Sequence, residues 1–179
     1  MVVDIGNYGL HSDSAIFENS VFYQQFVHDK IILPPKPLPG TEVSVPHVFV
    51  GDEGFPLQTY LMRPYPKSGV INNVRKKTFN RQLSRARRVV ENAFGILAMK
   101  WRLFLRPIET DEGTADWIMK AACCLHNYII TKIGNRESVI ETDEQVEPIR
   151  ALAATTPTNR RSNAVAFEVR EHFADYFSK

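Results

Sequence analysis

Acidic residues are almost missing from one quarter of this 179-residue chain. Between Arg63 and Arg106 stand 12 Lys and Arg and a single carboxylate, Glu91. So one-sided a stretch concentrates positive field where a polyanion can be held. The formal net charge of +2 conceals it: residues 1–62 carry −5, 63–106 carry +11, 107–150 carry −5 and 151–179 carry +1. Cysteine is scarce as well. The 2 present, Cys123 and Cys124, are adjacent, and neighbours on a helix point about 100° apart. They cannot easily bridge, which argues against a disulfide framework and for a reducing compartment. Long apolar runs are absent: none approaches the ~20 residues of a transmembrane helix. The N-terminus shows neither a charged leader nor a cleavage-site pattern. The remaining composition, 44% hydrophobic and 23% charged, suits a globular domain with a sizeable core.

Patterning along the chain predicts a mixture of short strands and longer helices. Met1–Ile5 reads as a strand, followed by a turn at Gly6-Asn7-Tyr8-Gly9. Asp13-Ser14 can cap a short helix carrying Ile16, Phe17, Phe22 and Phe26. The prolines at 34, 35, 37, 39 and 46 predict a stiff extended connection from Leu33 to Pro46. His47–Val50 reads as a strand ending at Gly51-Asp52, and Leu57–Leu61 as a short helix. The strongest helix spans about Phe79 to Trp101. Its residues Phe79, Leu83, Ala86, Val90, Phe94, Leu97 and Trp101 share one apolar stripe, with Arg81, Arg85 and Arg88 on the far side. A second helix, about Ala115 to Ile133, is apolar nearly all round and is expected in the core. Glu137–Pro157 reads as loop or disorder, and Asn163–Phe177 as a closing helix.

Two carboxylates stand out. Asp52 ends the apolar run Val48-Phe49-Val50-Gly51, and Glu91 borders the apolar stripe of the basic helix beside small residues. Each has an ordinary reading. Asp52 fits a turn after a strand, and Glu91 fits a surface pair with Arg87, worth about 0.3 kcal/mol. Cys123, Cys124 and His126 lack zinc-ligand spacing; core packing, with His126 and Asn127 bonded internally, is expected there.

Four segments change the weighting: Gly51-Asp52-Glu53-Gly54-Phe55-Pro56-Leu57, Phe79-Asn80, Arg85-Ala86-Arg87-Arg88-Val89-Val90-Glu91-Asn92-Ala93-Phe94-Gly95, and Cys124-Leu125-His126-Asn127-Tyr128. In this order they resemble the nuclease domain of PIF/Harbinger transposases and the Harbinger-derived nucleases of animals. The resemblance implies an α/β, ribonuclease-H-like fold, a mixed sheet flanked by helices. It also implies a DDE set of three carboxylates that holds two divalent metals, Mg²⁺ or Mn²⁺. Asp52 matches the second Asp and Glu91 the Glu, 39 residues apart. The register puts Asp4 on the second strand, so the first Asp is expected roughly a dozen residues before Met1. The chain then reads as an N-terminally truncated copy lacking its first strand. An alternative register makes Asp4 that first ligand.

The expected organisation is a partial nuclease domain over 1–134, an acidic and polar loop over 135–160, and a C-terminal helix over 161–179 packing on the domain. The expected function is metal-dependent cleavage or transfer of DNA phosphodiesters in the nucleus, with Asp52 and Glu91 as metal ligands. Arg81, Arg85, Arg87 and Arg88 would hold DNA. The implied partners are DNA and a separate DNA-binding protein, with an oligomer compatible and no membrane involved. The alternative is a catalytically inactive module that keeps the fold and binds DNA or protein.

Overall fold

A computed structural model describes residues 5–6, 11–28, 33–133 and 164–179. The expected strand Met1–Ile5, the Gly6–Gly9 turn and the loop Glu137–Pro157 fall largely or wholly outside them. The described chain combines five helices with two small sheets, an α/β mixture. It divides into two compact units: one of residues 9–88 with 153–179, the other of residues 1–8 with 89–152.

In the first unit, α1 (Asp13–Asn19) and α2 (Val21–His28) meet at Ser20. The residue capping α1 is Ser12, not Asp13 or Ser14: its extended backbone leaves Oγ to accept the Ala15 N–H at 3.3 Å. Ser20 Oγ donates to the Phe17 carbonyl at 2.6 Å and accepts the Tyr23 N–H at 3.0 Å, so one hydroxyl ends α1 and starts α2. Aromatic rings then join the helices to the strand region. Phe17 and Phe26 each meet Phe49 edge-on, with centroids 6.1 and 5.4 Å apart.

The proline-rich connection is more ordered than its composition predicts. β1 (Lys36–Pro37) pairs antiparallel with β2 (Ser44–Val45). The turn between them is closed by Leu38 N–H to the Val43 carbonyl at 3.0 Å, with Gly40 at φ +71°. Pro37 is tolerated because a two-stranded ladder has only edges, where a missing N–H costs little. The expected helix Leu57–Leu61 is instead a tight turn. Gln58 and Leu61 exchange backbone bonds at 3.0 and 3.2 Å, after which β4 (Leu61–Met62) pairs parallel with β3 (Phe49–Val50). Five residues are too few to sustain a helix alone, and the ladder claims their backbone groups.

The core of this unit gathers Leu57, Met62, Tyr65, Phe79, Leu83, Ala166, Val169 and Ala174. It is filled from three directions: the β4 segment, the first half of α3 (Val74–Lys100) and α5 (Ala164–Phe177). Leu57 and Phe79 are fully enclosed, at 0% and 1% exposure.

The second unit contains the rest of α3, a 3-10 turn at Arg102–Leu105, and α4 (Glu112–Ile133). Asp111 starts α4 earlier than periodicity predicts, because its Oδ1 accepts the Thr114 N–H at 2.9 Å. The bonds from Thr114 hold the Asp111 carboxyl below its ordinary range. Two expectations fail here. α4 is not a core helix among the described residues: Trp117 is 72% exposed and Tyr128 61%, and Ala122 is its one buried residue. The apolar stripe of α3 also splits. Phe79 and Leu83 are buried, whereas Val90 and Phe94 stand open. Amphipathic pattern marks a face able to be buried but does not supply the surface that covers it.

Leu57→Ala is expected to cost about 2–5 kcal/mol through lost burial and a residual cavity, read as a lower urea midpoint. Trp117→Ser on the open face of α4 should change stability by no more than about 0.5 kcal/mol.

Candidate active site

Asp52 follows directly on β3, where the parallel ladder ends with Gly51 N–H to the Met62 carbonyl at 2.9 Å. Gly51 is required by packing. A Cβ there would meet Phe55 Cγ at 2.9 Å, so the ring closes down on bare backbone. Beyond it, Asp52 Oδ1 accepts the Gly54 N–H at 2.8 Å, an Asx-type turn that fixes the carboxylate's direction. Arg63 Nη1 donates to the Phe55 carbonyl at 3.1 Å and anchors the far side of the same loop.

The half-buried Asp52 opens onto a shallow cleft of about 270 Å³. Glu53, Pro64, Tyr65, Lys67, Asn80 and Arg87 complete its lining. One small space thus holds two carboxylates and two cations.

Its wall is a clamped loop. Asn80, nearly two turns inside α3, accepts the Tyr65 N–H on Oδ1 at 2.8 Å and donates from Nδ2 to the Tyr65 carbonyl at 3.0 Å. Both polar groups of one residue are thereby satisfied by one side chain, each bond worth about 1 kcal/mol net. The Tyr65 ring is held from α5. Its hydroxyl donates to Glu171 Oε1 at 2.7 Å, and the Arg170 guanidinium stacks 3.9 Å from the ring centroid. Arg170 is 4% exposed, and its Nε is buried without a hydrogen-bond partner among the described residues. Burial, followed by the bond to Glu171, raises the Tyr65 hydroxyl pKa far above its ordinary value, so Tyr65 stays a neutral donor. Burial acts to raise the Glu171 carboxyl, but hydrogen bonds from Tyr65 and Arg75 outweigh it and hold the group below its ordinary range. Arg75 also pairs with Asp175.

The sequence-expected residues fall in different places. Asp52 and Arg87 share the cleft. Arg81, Arg85 and Arg88 are all exposed and recur at i, i+4 and i+7, a separate stripe of α3. Glu91 belongs to the second unit and is half-buried; both it and Arg87 have interaction partners. At about 100° per residue, Asn80 and Arg87 recur on one side of α3. Asp4 lies outside the described residues. Among the described residues no group of three or more His, Cys, Asp or Glu side chains gathers.

Composition and motif gave no role to Tyr65, Lys67 or Asn80, although Phe79-Asn80 was one of the four segments carrying the resemblance. A signal for Asn80 was present: a polar residue directly after a stripe-forming Phe, seven positions before Arg87 and eleven before Glu91. The Cys-His segment differs from expectation in two ways. Cys124 is exposed, and His126 Nδ1 is buried without a hydrogen-bond partner among the described residues. Asn127 does keep an internal bond, its carbonyl accepting Thr131 Oγ1 at 2.8 Å. The helix lacks the neighbours among described residues that would have enclosed and paired the other side chains.

A family model described as "DDE superfamily endonuclease" matches residues 1–127. A curated relative, "Protein ALP1-like" of Arabidopsis thaliana, is 31% identical over 124 residues, 68% of this chain. The chain spans 30% of that relative's length. No solved structure matches.

Two outcomes follow from the clamp. Asn80→Ala should lower stability by roughly 1–3 kcal/mol, measured by urea unfolding. Glu171, with its lowered folded pKa, contributes stability above its unfolded value near 4.3 and loses it as pH falls through the folded value. The melting-temperature gap between the native chain and Glu171→Gln should therefore shrink on acidification from about pH 6 to about pH 3; a gap that stays constant refutes the assignment.

Proposed function

Because the chain belongs to the DDE superfamily endonucleases, we propose that it is a metal-dependent nuclease or transposase catalytic domain acting on DNA phosphodiesters, within a ribonuclease-H-like architecture. The observation that carries this reading is the Asp52 cleft: a carboxylate fixed at a strand end, with cations beside it. Family membership and the short parallel pair β3–β4 support the architecture.

The donor chemistry fits a hard divalent cation. Mg²⁺ and Mn²⁺ take carboxylate oxygens and keep several waters, so few protein ligands are needed. Asp52 presents two oxygens, of which Oδ1 is oriented by Gly54 N–H. Glu91 is the second proposed ligand, supported by its place in the helix motif within the family match and by its spacing of 39 residues from Asp52. When bound, such ions activate a nucleophile and stabilise a leaving oxygen. The chain's own side chains orient the substrate. Arg87 supplies charge at the cleft, and the exposed Arg81, Arg85 and Arg88 stripe suits backbone phosphates outside it. A nuclear location suits a DNA substrate, which leaves room for a separate DNA-binding partner. No helix among the described residues is long and apolar enough to cross a membrane.

The rival is a DNA-binding module without catalysis, which the arginine stripe alone would serve. Mn²⁺ separates them. At about 100 times its Kd, a bound ion stabilises the fold by ~2.7 kcal/mol, so melting temperature should rise with Mn²⁺ and Asp52→Ala should abolish the rise. Plasmid nicking should disappear in Asp52→Ala and in Glu91→Gln. DNA binding with neither a metal response nor nicking selects the inert module.

A further inference from the structure

We propose that Lys67 is a phosphate-contacting residue of the Asp52 cleft, facing a nucleic-acid backbone together with Arg87, and that the Tyr65 clamp holds it in position. This deepens the nuclease reading and depends on it only for the identity of the polyanion.

Lys67 follows Pro66 in the 3-10 turn Lys67–Gly69. That turn is closed by Gly69 N–H to the Pro66 carbonyl at 2.9 Å and Val70 N–H to the Lys67 carbonyl at 3.2 Å. Two residues earlier, Tyr65 is fixed at its backbone by Asn80 and at its hydroxyl by Glu171. The stem of Lys67 thus leaves a short, bonded segment rather than a free loop. It lines the same cleft as Asp52 and Glu53, yet among the described residues it forms no ion pair with either. The other cations around Tyr65 are engaged: Arg75 with Glu171 and Asp175, and Lys76 and Arg170 against the ring.

A cation left uncommitted beside carboxylates is suited to an incoming anion. A space of about 270 Å³ is too small to hold a duplex, but a single phosphate of a strand crossing its mouth fits it. Lys67 approaches it as a flexible point charge, where a planar guanidinium would demand fixed geometry. The clamp matters because a 3-10 turn two residues beyond an unpinned Tyr65 would move, taking the ammonium with it.

α5 enters the site through this contact. The family match ends at residue 127, whereas Glu171 and Arg170 lie beyond it. The side chain of Tyr65, and through it the turn bearing Lys67, is therefore braced by a helix outside the matched region.

The test uses the full chain and a DNA duplex in EDTA, so that metal binding plays no part. Anisotropy titrations over a range of NaCl give the slope of log K against log salt. Removing one phosphate contact lowers that slope by about 0.9. Lys67→Ala should show this loss with an unchanged melting temperature, and Lys67→Arg should restore the native slope. Tyr65→Phe keeps the ring but drops the Glu171 bond, so it should weaken DNA binding while retaining the Arg170 stack. An unchanged slope in Lys67→Ala, or no DNA binding by the native chain, overturns the assignment. Loss of the Mn²⁺ response with an intact Lys67 effect would count against the metal reading alone.

Discussion

The side-chain amide of Asn80 closing on both backbone groups of Tyr65 is the contact on which the candidate site depends. It joins an irregular, proline-flanked loop to the most regular element of the chain. A loop running across a protein surface would otherwise rely on water for these groups. Here one helical residue satisfies both, so the loop keeps a fixed distance from α3. Tyr65 is then able to serve two environments: its body fills the core with Phe79, at 5.3 Å between centroids, and it also lines the cleft.

Around that contact the charges are layered. Arg170 is buried against the Tyr65 ring, its Nε unpaired among the described residues, and burial lowers its pKa. Such a group is costly to enclose, and the stacked ring together with Glu171 in the same region offsets part of the cost. The ion pair of Arg75 with Glu171 is partly exposed and contributes little alone. Its role is geometric: it holds the Glu171 carboxylate where the Tyr65 hydroxyl can reach it. The cations beyond, Lys67 and Arg87, border the cleft itself. Charge serving the fold and charge serving a ligand are thus separated by a single aromatic ring.

The second unit shows a different balance. Its helices are regular, and Asp111 caps α4 well, but their apolar residues are largely open among the described residues. Helix formation is local and satisfies its own backbone, so α4 needs no covering surface to be recognised as a helix. Burial is non-local. That is why the periodicity of Phe79 to Trp101 describes one continuous stripe, while only its first half meets the α5 and β4 residues that enclose it.

The sequence by itself determined the long helices, the concentration of positive charge, the segment carrying Asp52 and the family to which the motifs point, because each is written in neighbouring residues or in helical repeats. It also marked Arg81, Arg85 and Arg88 as one exposed stripe, since i, i+4 and i+7 share a face whatever surrounds the helix. Tertiary structure alone decided that Lys36–Pro37 would pair with Ser44–Val45, that Leu61–Met62 would become a strand rather than a helix end, and that Tyr65 would be gripped by residues 15 and 106 positions away. Those outcomes rest on backbone groups and buried surfaces finding partners far along the chain, and local pattern carries no record of which distant partner will arrive.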